Sequence, residues 1–93
     1  MGRLRILIGY TRGPLVPRFH FNIRHESAGT LLRDEEGMLL PDVAAAESEA
    51  LESAKELVIE QIRADRRIDS FFEVTDSEGN LVFVLPFRQS LRF

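Results

Sequence analysis

The sequence predicts an α+β fold with two layers, in which one long helix packs on a four-stranded antiparallel sheet in the order β-β-α-β-β. Residues 42–64 carry apolar side chains at three- and four-residue steps, which is typical of one face of a helix. Two strand-like segments precede this stretch and two follow it. Short turn sequences join the members of each pair, so each pair is expected to form an antiparallel hairpin covered by the helix.

The first pair of strands lies between residues 18 and 33. Apolar and polar side chains alternate in the first strand, as expected when one face of a strand is buried. Phe19, Phe21 and Ile23 are predicted to face the helix, and the opposite face carries Arg18, His20, Asn22 and Arg24. A turn at 25–29 leads to the second strand at 30–33, which ends at a turn or bulge formed by residues 34–37.

The helix begins after Asp42, whose carboxylate can accept a hydrogen bond from an unpaired amide of the first turn. Its predicted core stripe consists of Val43, Ala46, Ala50, Ala54, Leu57, Val58 and Ile62, widened by Leu51. The alanines in the first half predict a close approach to the sheet. Arg66 and Arg67 follow its end, where positive charge complements the helix dipole.

The second pair of strands is predicted at 70–76 and 81–87, joined by a turn at 76–80. Phe72 and Val74 are expected on the helix side of the third strand, and Phe71 and Glu73 on the other side. The fourth strand is apolar on both sides: Phe83, Leu85 and Phe87 lie on one face, and Val82, Val84 and Pro86 lie on the other. We expect the core to include Val43, Ala50, Leu57, Val58, Phe72 and Val74.

The composition is that of one globular domain. The chain has 93 residues, of which 44% are hydrophobic and 29% are charged. It contains no cysteine, which excludes disulfide bonds and thiolate metal sites. It has no apolar run long enough for a membrane span and no signal-peptide pattern, so we expect a cytoplasmic protein.

Residues 1–16 are interpreted as an N-terminal extension that is flexible or non-native, and residues 17–93 as the single α+β domain. Residues 3–10 could form a strand, but Gly9, Gly13 and Pro14 interrupt the pattern.

Several short motifs resemble a family of short bacterial proteins known as a domain of unknown function. They are Pro-Arg-Phe-His-Phe-Asn-Ile-Arg at 17–24, Asp-Glu-Glu-Gly at 34–37, Leu-Pro-Asp at 40–42 before an Ala/Glu-rich helix, Phe-Glu-Val-Thr-Asp at 72–76 and Val-Leu-Pro-Phe at 84–87. The resemblance covers about residues 17–93 and implies no activity and no site residues. Members of this family look as if they begin with a methionine at the position that Val16 holds in this chain. We therefore hypothesise that the native chain starts at Val16.

The sequence offers little for catalysis or metal binding. Asp34–Gly37 places three carboxylates before a glycine, but adjacent side chains point in different directions, and we interpret the segment as a turn. His20 and His25 are the two histidines, and their spacing does not bring them together. No serine has the context of a nucleophile. We therefore expect a protein that is not an enzyme and has no catalytic residue, cofactor or metal.

The sheet face away from the helix is the predicted interaction surface, because an apolar face needs a second cover. Its candidate residues are Phe71, Val82, Val84, His20 and Arg18. The chain's own ends could cover it, or a second copy in a homodimer, or another partner. We expect a small protein-interaction or regulatory module, with a homodimer as one possible assembly and an unknown protein client.

The alternative function is binding of single-stranded nucleic acid through Arg18, His20, Asn22 and Arg24, because RNA-binding sheets combine arginines with exposed aromatic rings. Residues 1–24 carry a net charge of +5, whereas residues 42–65 carry −5. The acidic helix would repel phosphates, so this function is the less favoured one.

Overall fold

The computed structural model describes residues 16–91, so the predicted N-terminal extension lies outside the described residues apart from Val16. The chain forms β1 (Arg18–His25), β2 (Thr30–Leu32), β3 (Met38–Leu39), α1 (Val43–Arg63), β4 (Ser70–Thr75), β5 (Leu81–Pro86) and a 3₁₀ helix (Phe87–Leu91). The predicted α+β class and its element order are confirmed, and the short strand β3 makes the sheet five-stranded rather than four-stranded. No helix among residues 16–91 has the length and apolar character to cross a membrane.

The sheet has the order β2-β1-β4-β5, and every pairing is antiparallel. The strand β3 pairs with the start of β1, where Arg18 faces Leu39 and Phe19 faces Met38. The two central strands are β1 and β4, which pair with each other although α1 separates them in the sequence.

The helix α1 begins and ends with local hydrogen bonds. Asp42 caps its N-terminus by accepting a hydrogen bond from the Ala45 amide at 2.8 Å. At the other end, Asp65 has a φ of 55°, the left-handed conformation that commonly ends a helix. Both boundaries lie within a residue or two of those predicted.

The core lies between α1 and the helix side of β1, β4 and β5. It contains three alanines of the helix, Val58, and aromatic and aliphatic side chains of the sheet; its buried members are Phe19, Ala46, Ala50, Ala54, Val58, Phe72, Val74, Leu85 and Phe87. Phe72 stacks at an angle on Phe87, with ring centroids 5.0 Å apart. The small alanines let the helix pack close to the sheet, as predicted.

The predicted core stripe was wrong at both ends of α1. Val43 and Ile62 are exposed, and Leu57 is half-buried. The sheet covers the middle of the helix, so the apolar stripe extends beyond the surface that buries it. Phe87 was expected in a strand but begins the 3₁₀ helix, where it is fully buried.

A β-bulge changes the alternation of β5. The register shifts between Val74, which faces Phe83, and Thr75, which faces Leu81. Val82 is the extra residue, and it is half-buried against the core. Its predicted place beside Val84 on the open face is therefore corrected.

Candidate interaction surface

The open face of the sheet, on the side away from α1, is divided into a polar part and an apolar part. The polar part lies on β1 and β4 and comprises His20, Asn22, Arg24, Glu73 and Thr75. The apolar part lies toward β5 and comprises Phe71, Val84 and Pro86. The expectation of an apolar open face is correct for this second part.

An ion pair occupies the centre of the polar part. Arg24 Nε lies 2.7 Å from Glu73 Oε2, and Arg24 Nη2 lies 3.3 Å from Glu73 Oε1. The hydrogen bond and the negative charge of Glu73 raise the pKa of Arg24 above its ordinary value. The guanidinium is thus already engaged with a carboxylate of its own chain.

Asn22, which the alternation places toward solvent, is only 8% exposed. Its Nδ2 donates to the Glu73 carbonyl at 3.1 Å, and its Oδ1 accepts from the Asp34 amide at 2.9 Å. The side chain connects β4 to the loop beside β1. Burial follows because this loop, residues 33–37, folds against β1.

The loop at 33–37 closes the outer side of β1 between β2 and β3. Asp34 Oδ2 accepts a hydrogen bond from the Phe21 amide at 3.0 Å, and Asp34 Oδ1 accepts from the Gly37 amide at 3.1 Å. Arg18 Nη1 donates to the Glu36 carbonyl at 2.8 Å. The aspartate side chain therefore takes the place of a neighbouring strand for the Phe21 amide.

Gly37 is required where this loop meets β1. Its φ is +72°, and an added Cβ would lie 2.9 Å from the Phe19 carbonyl oxygen. The Asp-Glu-Glu-Gly segment is thus a structural turn, as predicted. No cluster of three or more His, Cys, Asp or Glu residues within positions 16–91 has the geometry to hold a metal ion.

His20 lines a polar cavity of about 340 Å³ beside this loop. Its Nδ1 lies 2.7 Å from the Asp34 carbonyl oxygen. A carbonyl oxygen can only accept, so Nδ1 carries the hydrogen and donates it. Arg33, Glu35 and Asp76 also line this cavity. Because these residues carry charges of both signs, they do not indicate any one class of ligand.

His25 is paired with a buried hydroxyl on the helix side. Its Nδ1 lies 2.7 Å from Ser70 Oγ, which also accepts from Gln61 Nε2 at 3.2 Å. Ser70 is 3% exposed, so a substrate carbonyl could not approach its oxygen. Gln61 Oε1 is buried without a hydrogen-bond partner among the described residues. Sequence analysis missed this cluster because its three members lie on three different elements.

The strand β5 is the second edge of the sheet. Among residues 16–91 its sole strand neighbour is β4. Its sequence, Leu-Val-Phe-Val-Leu-Pro, carries no charge and no polar side chain. Leu81 is 60% exposed and Val84 is 45% exposed. The apolar composition was visible in the sequence, and Pro86 near the end of the strand is typical of a strand end or an edge position. The strand order places β5 at the edge.

A groove of about 500 Å³ runs between β5 and the first half of α1. Its wall on the α1 side is formed by Ala44, Glu47, Ser48 and Leu51, and its other wall by Phe83, Val84 and Leu85 of β5 together with Gln89 of the 3₁₀ helix. Of the predicted interface residues, Val84 lies on this groove and Phe71 faces Pro86 on the adjoining open face. Arg18 and His20 lie by the loop at 33–37, toward the opposite edge of the sheet.

Comparison with known proteins supports the resemblance noted in the sequence. No curated protein and no solved structure matches this chain. Residues 18–88, which include every strand and the helix, match one family, described as a domain of unknown function, DUF6894. The chain belongs to this family of unknown function.

Proposed function

We propose that this protein is a small non-enzymatic protein-interaction module that binds a partner protein as an added strand beside β5. The observation that carries the proposal is the exposed, uncharged edge strand. An edge strand presents unpaired backbone N–H and C=O groups to which an extended segment can add. The resemblance and the lack of cysteine lead us to place the module in a bacterial cytoplasm.

The groove beside β5 supplies the side-chain part of this recognition. An added strand places alternate side chains on opposite faces of the sheet. On the helix side these side chains would enter the groove against Leu51 and Ala44. On the open face they would contact Val84 and Phe71. Backbone pairing would give affinity, and these contacts would give selectivity.

A non-enzymatic role is proposed because the two histidines are engaged in the fold. His20 donates to a backbone carbonyl, and His25 contacts a buried serine. Neither arrangement brings an exposed nucleophile to a base, as covalent catalysis requires.

The alternative function, nucleic-acid binding, finds less support. Arg24 already pairs with Glu73, and Asn22 is buried in hydrogen bonds to its own chain. A phosphate at Arg24 would meet the negative charge of the Glu73 carboxylate beside it, which weakens the attraction. This function remains a prediction that a salt-dependent gel shift with single-stranded RNA can test.

The test of the proposed function compares the wild-type chain with two lysine variants. Val84→Lys puts a charge on the β5 edge, and Leu32→Lys puts one at a similarly exposed position of β2. Proteins captured from a bacterial lysate are identified, purified and titrated against each variant by calorimetry. We expect at least one of them to bind the wild type and Leu32→Lys within twofold, and Val84→Lys at least tenfold more weakly. Purified partners that bind Val84→Lys as tightly as the wild type would overturn the proposal.

A further inference from the structure

We infer that the strand added to β5 is β5 of a second copy of this chain, so that two sheets join edge to edge in a homodimer. This inference rests on the proposed function and names its partner. The two β5 strands would run antiparallel about a two-fold axis. Both helices would then lie on the same side of one continuous sheet.

The composition of β5 suits pairing with itself. A two-fold interface places a surface patch against its own copy. In β5 the six side chains from Leu81 to Pro86 are apolar, so no register of the antiparallel pair brings like charges together.

Two features of β5 limit the pairing to one short stretch. The bulge at Val82 disturbs the start of the strand, and Pro86 lacks a backbone N–H at its end. Regular pairing is therefore centred on Phe83, Val84 and Leu85. The other edge of the sheet consists of the short strands β2 and β3, three and two residues long, with the loop at 33–37 between them. It offers no comparable stretch to a third copy, so the assembly stops at two copies and does not extend into a fibre.

Edge pairing also leaves the polar part of the open face in water. A dimer formed face to face through the open sheet would bury the Arg24–Glu73 ion pair. Removing such a pair from water costs free energy that its own attraction does not reliably offset. The edge-to-edge arrangement avoids this cost and still covers Val84.

The first experiment measures the oligomeric state of the full chain by analytical ultracentrifugation across a concentration series. The contact is short, so we expect a dissociation constant on the order of micromolar. Val84→Lys lies at the centre of the pairing and should weaken the dimer at least tenfold, whereas Leu32→Lys should leave it within twofold of the wild type. Circular dichroism confirms that each variant is folded. A dimer that persists unchanged in Val84→Lys would overturn the inference.

The second experiment measures the geometry. The chain has no cysteine, so Leu32→Cys gives one spin label in β2 of each copy. In an edge-to-edge dimer, seven inter-strand gaps of about 4.8 Å separate the two β2 strands, or roughly 34 Å. We expect a distance distribution centred at about 30–40 Å. A distribution centred below about 20 Å would indicate face-to-face packing and overturn the inference.

Hydrogen exchange distinguishes failure of this inference from failure of the proposed function. A monomeric chain in which the outward-facing amides of β5, those not bonded to β4, exchange rapidly would overturn the dimer and leave the edge free for another protein. A monomeric chain in which these outward-facing amides are protected would overturn both, because a part of the same chain outside residues 16–91 would then cover the edge. Strong weakening of the dimer by salt would also argue against the apolar contact, since apolar burial does not depend on charge screening.

Discussion

One edge of the sheet, the closed edge, consists of the short strands β2 and β3 with the loop at 33–37 between them, and the other edge is β5. At the closed edge, the two short strands and the Asp34 carboxylate together cover the outer side of β1, and the Phe21 amide finds its acceptor there. Along β5, no element among residues 16–91 pairs on the outer side. An edge that is closed with side-chain hydrogen bonds needs no partner, whereas an apolar open edge favours one.

The two edges also differ in charge. Arg18, Arg33, Asp34 and Glu35 surround the closed edge, whereas β5 carries none. Charged residues beside an edge discourage the addition of another chain. The Asp-Glu-Glu-Gly motif lies at the closed edge, where its Asp34 carboxylate accepts hydrogen bonds from the amides of Phe21 and Gly37. The uncharged strand β5, at the other edge, is the better candidate for binding a partner strand.

The largest expected effect is a loss in the free energy of unfolding when a core side chain of β5 is shortened. Leu85 is buried in the core and Val84, its neighbour, is exposed. Leu85→Ala should lower the free energy of unfolding by about 2–4 kcal/mol, because it leaves a cavity. Val84→Ala should lower it by less than about 1 kcal/mol. Urea unfolding at concentrations where the chain is monomeric measures both, and equal losses would mean that Val84 is not an edge residue.

The second prediction removes the Asp34 carboxylate, which is the hydrogen-bond acceptor at the closed edge. Asp34→Ala leaves the amides of Phe21 and Gly37 without their partner, and each unpaired buried donor costs about 1–3 kcal/mol. Water can reach part of this loop, so we expect a loss of about 2–3 kcal/mol in the free energy of unfolding. The control is Glu35→Ala, an exposed position in the same loop. A loss no greater than that of the control would show that the carboxylate does not close the edge.

The sequence predicts those features of the fold that depend on neighbouring residues, and it fails for those that depend on residues far apart in the chain. The helix could be predicted because its cap at Asp42 and its apolar repeat are local. The strand order could not, because β1 and β4 pair across the helix. Asn22 was placed toward solvent by alternation alone, and its burial depends on a loop twelve residues away. Val82 was misplaced because a bulge leaves no clear sign in an apolar strand.

The sequence likewise predicted only part of the candidate interaction surface. The apolar character of Val84 and Phe71 was readable from the sequence, and both lie where the open face meets β5. Arg18 and His20 share the strand that alternation predicted, but hydrogen bonds hold them to the closed edge. Periodicity assigns a face to a residue, whereas the strand order decides which edge it lies near.

A smaller effect tests how tightly the closed edge fits. Gly37 and Gly29 both have positive φ, but an added Cβ meets nothing within 4 Å at Gly29 and lies 2.9 Å from the Phe19 carbonyl oxygen at Gly37. Gly29→Ala should cost about 1 kcal/mol through backbone strain. Gly37→Ala should cost about 1–2 kcal/mol more, because the loop must move from β1. Thermal unfolding of the two variants gives the difference, and equal costs would mean that the loop is not in tight contact with the strand.

The smallest effect is the response of the open edge to acid. Asp76 holds the turn before β5 by accepting hydrogen bonds from the amides of Asn80 and Glu78, each at 2.9 Å. These bonds, that of Asn80 foremost, lower the pKa of Asp76 below its ordinary value of 3.8.

Because the pKa is lower in the folded state, the stabilisation by Asp76 is complete from about one unit above 3.8 and is lost as the pH falls through 3.8 toward the folded pKa. Urea unfolding between pH 2 and 6 should therefore show a steeper acid loss for the wild type than for Asp76→Asn, whose amide does not titrate. Asp69, whose pKa is lowered by hydrogen bonds from Ser27, keeps part of the slope in the variant. Parallel curves for the two proteins would show that the turn leading into β5 does not depend on this carboxylate. In that case the open edge would be fixed by its core side chains alone.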